Sequence, residues 1–597
     1  MVKRLLAVGF VVFAFVVIHA NERGPWSPIG KGPATSVIPP SGIPIPACTG
    51  DGSGNGSSVC PAAGADNTIV QNATSPNTFV FKSGYHRLQT IFPRTGDIFL
   101  AESGAILSGA RVLTGWTSGN GTTCHSHTPC WFVDGQTQHG GSAEFPGDTN
   151  PTVSAGCAGN TGYRAGTNNP EGLGNTVQGY FNCFHPEDVT FDNVFKYHCW
   201  TFTLCSASNA HGNCIFTGAP DCGGWYLDYN GNGAFSGSPQ YRLYVFDDPT
   251  SHKVEASITP YAFSNANQNV TVAGSGKGSS TLTGLLMFEN YATPYDGAVL
   301  ACNDGWLCDH LELRGNHYAG VDGHCNGVTQ FVYTHHNGAF GVHGGCNAVF
   351  QDSEVSFNNY QASLDIFWGS GGSKWAFSDQ LKVLRNYSHD NYGPGFWTDI
   401  NNINVEYANN TINDNYRAGI FHEVSYSAHI HDNVLARNGL DFLFPGYPTE
   451  SCIGISTSQN VEVDHNTCTD NWGGIAILQE DRSCDGIPPN HGAYISQNNY
   501  IHDNTVNSIT NINGNGGCCM NGMLLNMMPC RPGSTVINSF PFNNLWAANH
   551  YHFSPSRSQY FQWSGGGTGN DAGWQASTTI SGGITKNQDV GATFQRP

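Results

Sequence analysis

Residues 386–423 read NYSHDNYGPGFWTDINNINVEYANNTINDNYRAGIFHE, and one phrase occurs in them twice. The run from Asp390 to Asp399, DNYGPGFWTD, is echoed from Asp414 to Glu423 as DNYRAGIFHE. Gly395 and Gly419 are 24 residues apart, and Asp399 and Glu423 each follow their glycine by four. A repeat of this length that carries a carboxylate at one fixed place is a structural and a chemical signal together.

The pattern extends on both sides: an Asn, three residues, a Gly or Ser, then an apolar residue. Asn316 precedes Gly320, Asn337 precedes Gly341, Asn359 precedes Ser363, Asn391 precedes Gly395 and Asn415 precedes Gly419, with looser copies ending at Gly454 and Gly474. The successive spacings are 21, 22, 32, 24, 35 and 20. A period of 20–24 predicts one coil of a parallel β-helix, and the long values predict coils with loop insertions. Stacked Asn side chains at one turn would form a hydrogen-bonded ladder. The leucine pattern of a leucine-rich repeat is absent, and a propeller blade needs about twice the period. The expected fold is all-β: a right-handed parallel β-helix with a disulfide-rich N-terminal insertion and a C-terminal cap.

Composition agrees. The chain has 597 residues, 75 Gly and only 11% charged residues, a mixture that favours turns and short strands. Its formal net charge of -20 argues against nucleic acid or an anionic membrane as partner. Lys3-Arg4 followed by the 14 apolar residues Leu5–Ile18 fits a cleavable signal peptide over residues 1–20, hence a secreted, extracellular or periplasmic location. The 20 Cys all follow it, and their even number favours disulfides in that setting.

The organisation expected is a lead-in over 21–75, a β region over 76–275 with a Cys-rich insertion at 117–222, a β-helix core over 276–510, and coils with a cap over 511–597. Cys48 and Cys60 are expected to pin the lead-in. A metal site at Cys124, His125 and His127 is disfavoured, because an oxidising compartment consumes thiols. Trp225-Tyr-Leu-Asp-Tyr and Tyr241-Arg-Leu-Tyr-Val-Phe predict a hairpin. Cys325 and Cys346 each follow a repeat glycine by five, so adjacent coils should bring them within disulfide reach.

Side chains alternate along a strand. Phe396, Thr398 and Ile400 are expected inward, with Trp397 and Asp399 outward; Ile420, His422 and Val424 inward, with Phe421 and Glu423 outward. Continued along the stack, the outward set is Asp322, His324, His343, Asp365, Phe367, Trp397, Asp399, Phe421 and Glu423, fading at Ser456, Ala476 and Leu478. Aromatic faces stack on sugar rings and carboxylates bind hydroxyls, so this groove predicts a polysaccharide or oligosaccharide partner for a monomeric protein. Equivalent carboxyls on adjacent strands would lie about 5 Å apart, near the separation used by retaining glycosidases. Glu423, the longer acid, is then the acid/base and Asp399 the nucleophile. Like charges so close should raise one pKa.

From about Asn77 onward the chain resembles secreted right-handed parallel β-helix, pectate-lyase-like proteins. The phrases that carry this are Trp368-Gly-Ser-Gly-Gly-Ser-Lys374, Ser388–Asp399 and Gly419–Glu423. Trp397-x-Asp399 followed one coil later by Phe421-x-Glu423 is similar to the β-helical β-xylosidase family of glycoside hydrolases. That resemblance implies an Asp nucleophile at 399 and a Glu acid/base at 423. In related proteins the Trp368 loop often carries a Glu; here Gly369-Ser370 stands there. Lys374 could bind a sugar hydroxyl or carboxylate, and His389 is a further groove candidate. No cofactor is required by this reading. A competing lyase or C5-epimerase would abstract a proton with a base such as Lys374, Lys382, Arg385, His389 or Arg417, and Ca²⁺ held by the outward acids could assist it. A non-catalytic carbohydrate-binding β-helix is the third class.

Overall fold

The computed structural model describes residues 40–50, 59–120, 122–124, 129–136, 188–196, 205–208, 214–216, 224–228, 242–264, 267–293, 297–360, 369–440, 450–482, 487–508, 521–525, 543–553, 561–563, 567–581 and 584–595. The expected signal peptide, most of the lead-in and insertion, His125 and His127, and Asp365 and Phe367 lie outside these residues.

Short strands stack in parallel along three columns. One column runs Ala298–Cys302, Ala319–Gly323, Phe340–Gly344, Gly371–Trp375, Phe396–Asp399, Ile420–Glu423, Ser451–Ser456, Gly473–Gln479, Asn521–Leu525 and Phe561–Trp563. A second includes Lys382–Leu384, Val405–Ala408, Ala428–His431, Val461–Asp464 and Tyr500–His502. The third includes Glu354–Ser356, Tyr387–His389, Thr411–Asn413 and Val434–Ala436. The long strand Val328–His335 pairs with both of the last two columns. Three columns per coil make a parallel β-helix.

The inward set is mainly apolar, as the alternation predicts, but Ile400 and Val424 take the left-handed conformation just after their strands and do not join the continuous core. Phe396, Ile420, Trp375 and Phe350 belong to one continuous core that runs from Ile45 to Trp574. Phe350, Trp375 and Phe396 stack along the axis at centroid distances of 6.1 and 6.0 Å.

The Asn residues form the ladder. The Asn316, Asn337, Asn358, Asn391 and Asn415 amides each donate to the next Asn carbonyl at 2.9 Å, and Asn438 donates to Asn471 at 2.8 Å. A second ladder joins Asn386, Asn410, Asn433, Asn466, Asn504 and Asn549 and ends on Asp589. An unpaired buried amide costs about 1–3 kcal/mol, so each rung supports its neighbours. The residue before a rung takes the left-handed conformation, as at Asp390, Asp414, Arg437 and Asp470. Asp and Asn tolerate that region better than most residues, which accounts for the Asp-Asn phrase. Gly395 answers a different need: a Cβ there would lie 2.7 Å from both the Gly419 carbonyl oxygen and the Ile412 side chain.

Three register expectations need correction. The rung is Asn358 rather than Asn359, whose amide instead donates to the Tyr392 carbonyl. Phe340 pairs with Gly371 and His343 with Lys374, so the coil after Gly341 returns at Gly372 rather than Ser363. The extra residues therefore precede the strand, and Lys374 lies on it rather than in a loop. Gly454 pairs with Phe421, not with Gly419.

Parallel pairing also extends beyond 276–510. Ile98–Ala101 pairs with Thr271–Ala273, and His550–Phe553 pairs with Thr593–Gln595. The helix Ala65–Asn72 and the helix Asp571–Ala576 contribute Val70 and Trp574 to the ends of the core. Trp225–Asp228 and Arg242–Val245 form the expected antiparallel pair. Disulfides join Cys48 to Cys60, Cys124 to Cys130, Cys302 to Cys308, Cys325 to Cys346 and Cys452 to Cys468. The Cys325–Cys346 bridge spans adjacent coils at a Cα separation of 4.6 Å, as the shared offset predicts. Among the described residues no helix is long and apolar enough to cross a membrane.

Candidate active site

On the first column Trp397 pairs with Phe421 and Asp399 with Glu423, directly across adjacent parallel strands. Neighbouring strands lie about 4.8 Å apart, so the two carboxylates share one small volume. Both are nearly covered: Asp399 is 8% exposed and Glu423 9%.

Beneath them the sheet is locked by a polar chain. The Tyr407 hydroxyl donates to Thr398 Oγ1 at 3.1 Å, and Thr398 lies 2.7 Å from His422 Nδ1. His422 Nε2 faces the Tyr426 carbonyl at 2.8 Å. Burial pushes the His422 pKa down to about 4, so the ring is neutral and its Nε2–H donates. Nδ1 then accepts from the Thr398 hydroxyl. These inward residues fix the strands that carry the two acids.

Each acid has its own cation, one from each direction along the stack. Lys374 Nζ lies 2.8 Å from Asp399 Oδ2 and 3.9 Å from the centre of the Trp397 ring. Arg482 hydrogen-bonds Glu423 and is 2.5 Å from Glu480. Ser456, which pairs with Glu423, donates to Glu480 at 3.3 Å. The order is therefore Lys374, Asp399, Glu423, Arg482, Glu480.

The balance acts on Glu423. Desolvation pushes its pKa up, Asp399 and Glu480 push it further, and Arg482 and Lys374 pull back without cancelling them, leaving it at about 8. Glu423 is thus a carboxyl that holds its proton at neutral pH, the state a general acid needs.

The other sequence candidates do not all gather at this site. Asp322, His343, Lys374 and Trp397 follow one another along one outward line of this column. Burial alone would raise the Asp322 pKa, but hydrogen bonds from His324 at 2.7 Å and from His343 hold it well below the usual range. Trp397 and Phe421 point away from the core, as expected, but they are not open stacking surfaces. They are 2% and 3% exposed and pack with each other and Ala418 at a ring separation of 6.0 Å. His389 is elsewhere: it sits on Tyr387–His389 of the third column, between Glu354 at 3.2 Å and Asp390 at 2.8 Å. Asp365 and Phe367 lie outside the described residues. Arg482 was not legible in the sequence, because it follows the strand Gly473–Gln479, 59 residues from its partner, and no repeat phrase marks it.

Residues 296–447 match the model described as a right handed beta helix region. The protein is a right-handed parallel β-helix. No curated protein matches its sequence. Solved structures similar to this β-helix include XylC in complex with xylose, at 11% identity over 77% of this chain and 81% of that one, TM-score 0.46. The Azotobacter vinelandii mannuronan C-5 epimerase AlgE6 A-module matches at 10% identity over 89% and 96%, TM-score 0.41. The Yersinia enterocolitica family 28 exopolygalacturonase matches at 7% identity over 93% and 78%, TM-score 0.33.

Proposed function

We propose that this β-helix is a carbohydrate-active enzyme, specifically a retaining glycoside hydrolase, with Asp399 as nucleophile and Glu423 as acid/base. The observation that carries the reading is the direct Asp399–Glu423 pairing, in which desolvation and the Asp399 charge push the Glu423 pKa up, the direction an acid catalyst needs. Retaining enzymes place their two carboxyls about 5–5.5 Å apart, the spacing of adjacent strands rather than of strands one coil further on.

The steps follow from this geometry. Asp399 attacks the anomeric carbon as Glu423 gives its proton to the departing oxygen, and a glycosyl ester forms on Asp399. Glu423, now ionised, takes a proton from water; that water attacks the same carbon and Asp399 leaves. Lys374 beside Asp399 stabilises the carboxylate between turnovers and fixes its rotamer. Trp397 packs against Phe421 and carries the Lys374 ammonium over its ring, which holds that cation beside Asp399.

A uronate-acting lyase or epimerase is the second reading, and the cations Lys374 and Arg482 favour it, since either could bind a sugar carboxylate. Their engagement with Asp399 and Glu423 supports the hydrolase instead. Assay on a panel of neutral and acidic polysaccharides, reading both reducing ends and ultraviolet absorbance, separates the two. The hydrolase gives reducing ends without unsaturated product; the reverse result would remove it.

A further inference from the structure

A second group of titratable side chains stands on the second column, away from the carboxylate pair. Ala428–His431, Val461–Asp464 and Tyr500–His502 are consecutive strands there. His429 pairs with Glu462, and His431 pairs with Asp464, which pairs with His502. Imidazoles therefore flank two carboxylates from the coils on either side.

The donor atoms converge. One ligand atom each from Glu462, Asp464 and His502 lies within 4.8 Å of the others. His502 Nε2 is 3.2 Å from Glu462 Oε1, and His429 Nε2 is 2.6 Å from Asp464 Oδ1. The remaining nitrogen of His502, Nδ1, is held by Asp503 Oδ2 at 2.8 Å, which turns Nε2 toward the cluster. Metal-ligating histidines are oriented in this way by a carboxylate on the far nitrogen. His502 and Asp464 are firmly placed, at 14% and 13% side-chain exposure, while Glu462 at 52% leaves the site open to solvent.

We propose that Glu462, Asp464 and His502, with His429 as fourth donor, bind a divalent transition metal of the Zn²⁺ class. Mixed imidazole and carboxylate donors suit Zn²⁺, Co²⁺ or Ni²⁺, whereas Ca²⁺ and Mg²⁺ take oxygen alone. The ion would join three successive coils and bind the folded chain in preference to the unfolded one, so it would stabilise the stack by mass action. Its donors lie on a different column from Asp399 and Glu423, so turnover should not depend on it. Asp503 is a positioning residue, acting only through His502.

The test uses the full chain, stripped with chelator and titrated with Zn²⁺ by calorimetry and with Co²⁺ by visible absorption. One equivalent of tight binding is expected, with Co²⁺ bands in the visible and a rise in Tm of several degrees. His502→Ala and Asp464→Asn should abolish that equivalent and the Tm rise, and Asp503→Asn should weaken binding by about 10–100-fold. The stripped variants should keep the Tm and turnover of the stripped parent, which shows that they fold. A parent that takes up no stoichiometric metal, or variants that bind as tightly as the parent, would overturn the proposal.

Discussion

The Asp399–Glu423 pair and the Glu462–Asp464 cluster are built by the same device and behave in opposite ways. Each puts titratable side chains on neighbouring coils, stacked by parallel pairing. On the first column the acids are 8% and 9% exposed, and desolvation drives Glu423 up to about 8. On the second column Glu462 is open to solvent, and Asp464 hydrogen-bonds His465 and His429. Burial of Asp464 works upward there, but the two imidazoles more than offset it and its pKa falls. Asp464 is as covered as Glu423, at 9%, so the choice of neighbour, not the stacking, decides whether a carboxyl keeps its proton.

The largest expected effect lies at the buried pair. Asp399→Asn should reduce turnover by about 10⁴-fold while the far-ultraviolet spectrum and Tm stay near the parent's. An active Asp399→Asn enzyme would erase the functional side of the contrast. Arg482→Met removes a cation that lowers the Glu423 pKa, so the alkaline limb of the pH–rate profile should move upward from about 8.

Next comes the scaffold that both regions share. Asn415→Ala deletes an acceptor for the Asn391 amide and a donor to Asn438, and it leaves both partners buried. Denaturant unfolding should show a loss of about 1–3 kcal/mol for each orphaned group. No loss would mean that the ladder is incidental to the coils.

A smaller effect separates the two regions by sign. Glu423 has a folded pKa of about 8 against an ordinary 4.5, so its contribution to stability is fully present below about 4.5 and is lost as pH rises through about 8. Asp464 is shifted downward from 3.8, so its contribution is present above that value and is lost as pH falls. Urea unfolding between pH 5 and pH 8.5 should show an alkaline decline that shrinks in Glu423→Gln and persists in Asp464→Asn. Smallest of all, Glu462→Gln should change metal-free stability at neutral pH by less than about 1 kcal/mol, because Glu462 is half exposed and its ion pair is solvated.

The doubled phrase around Gly395 and Gly419 made the coil, its inward face and the Asp399–Glu423 register legible, because a buried strand tolerates only one parity. Cys325 and Cys346 were legible for the same reason. The coil between Gly341 and Gly395 was not. Its extra residues fit equally well before or after a strand, and 362–368 alternates well enough to imitate one. Placing Gly372 on the strand puts Lys374 beside Asp399, a contact that the other choice hides. His389 misled because Asp390 and Asn391 turn the chain between it and Gly395 onto another face. The burial of Trp397 and Phe421 depends on packing outside the sheet, which alternation does not report.

The most direct test of the central claim is azide rescue of Glu423→Ala on aryl glycosides that the parent cleaves. If Glu423 is the acid/base, the variant should lose least on substrates with acidic phenol leaving groups, which need no protonation. Azide should restore part of the lost rate by attacking the glycosyl ester at Asp399, giving a glycosyl azide of retained configuration. A loss independent of leaving-group acidity, no response to azide and an unsaturated product absorbing in the ultraviolet would contradict the retaining hydrolase and leave the β-helix standing.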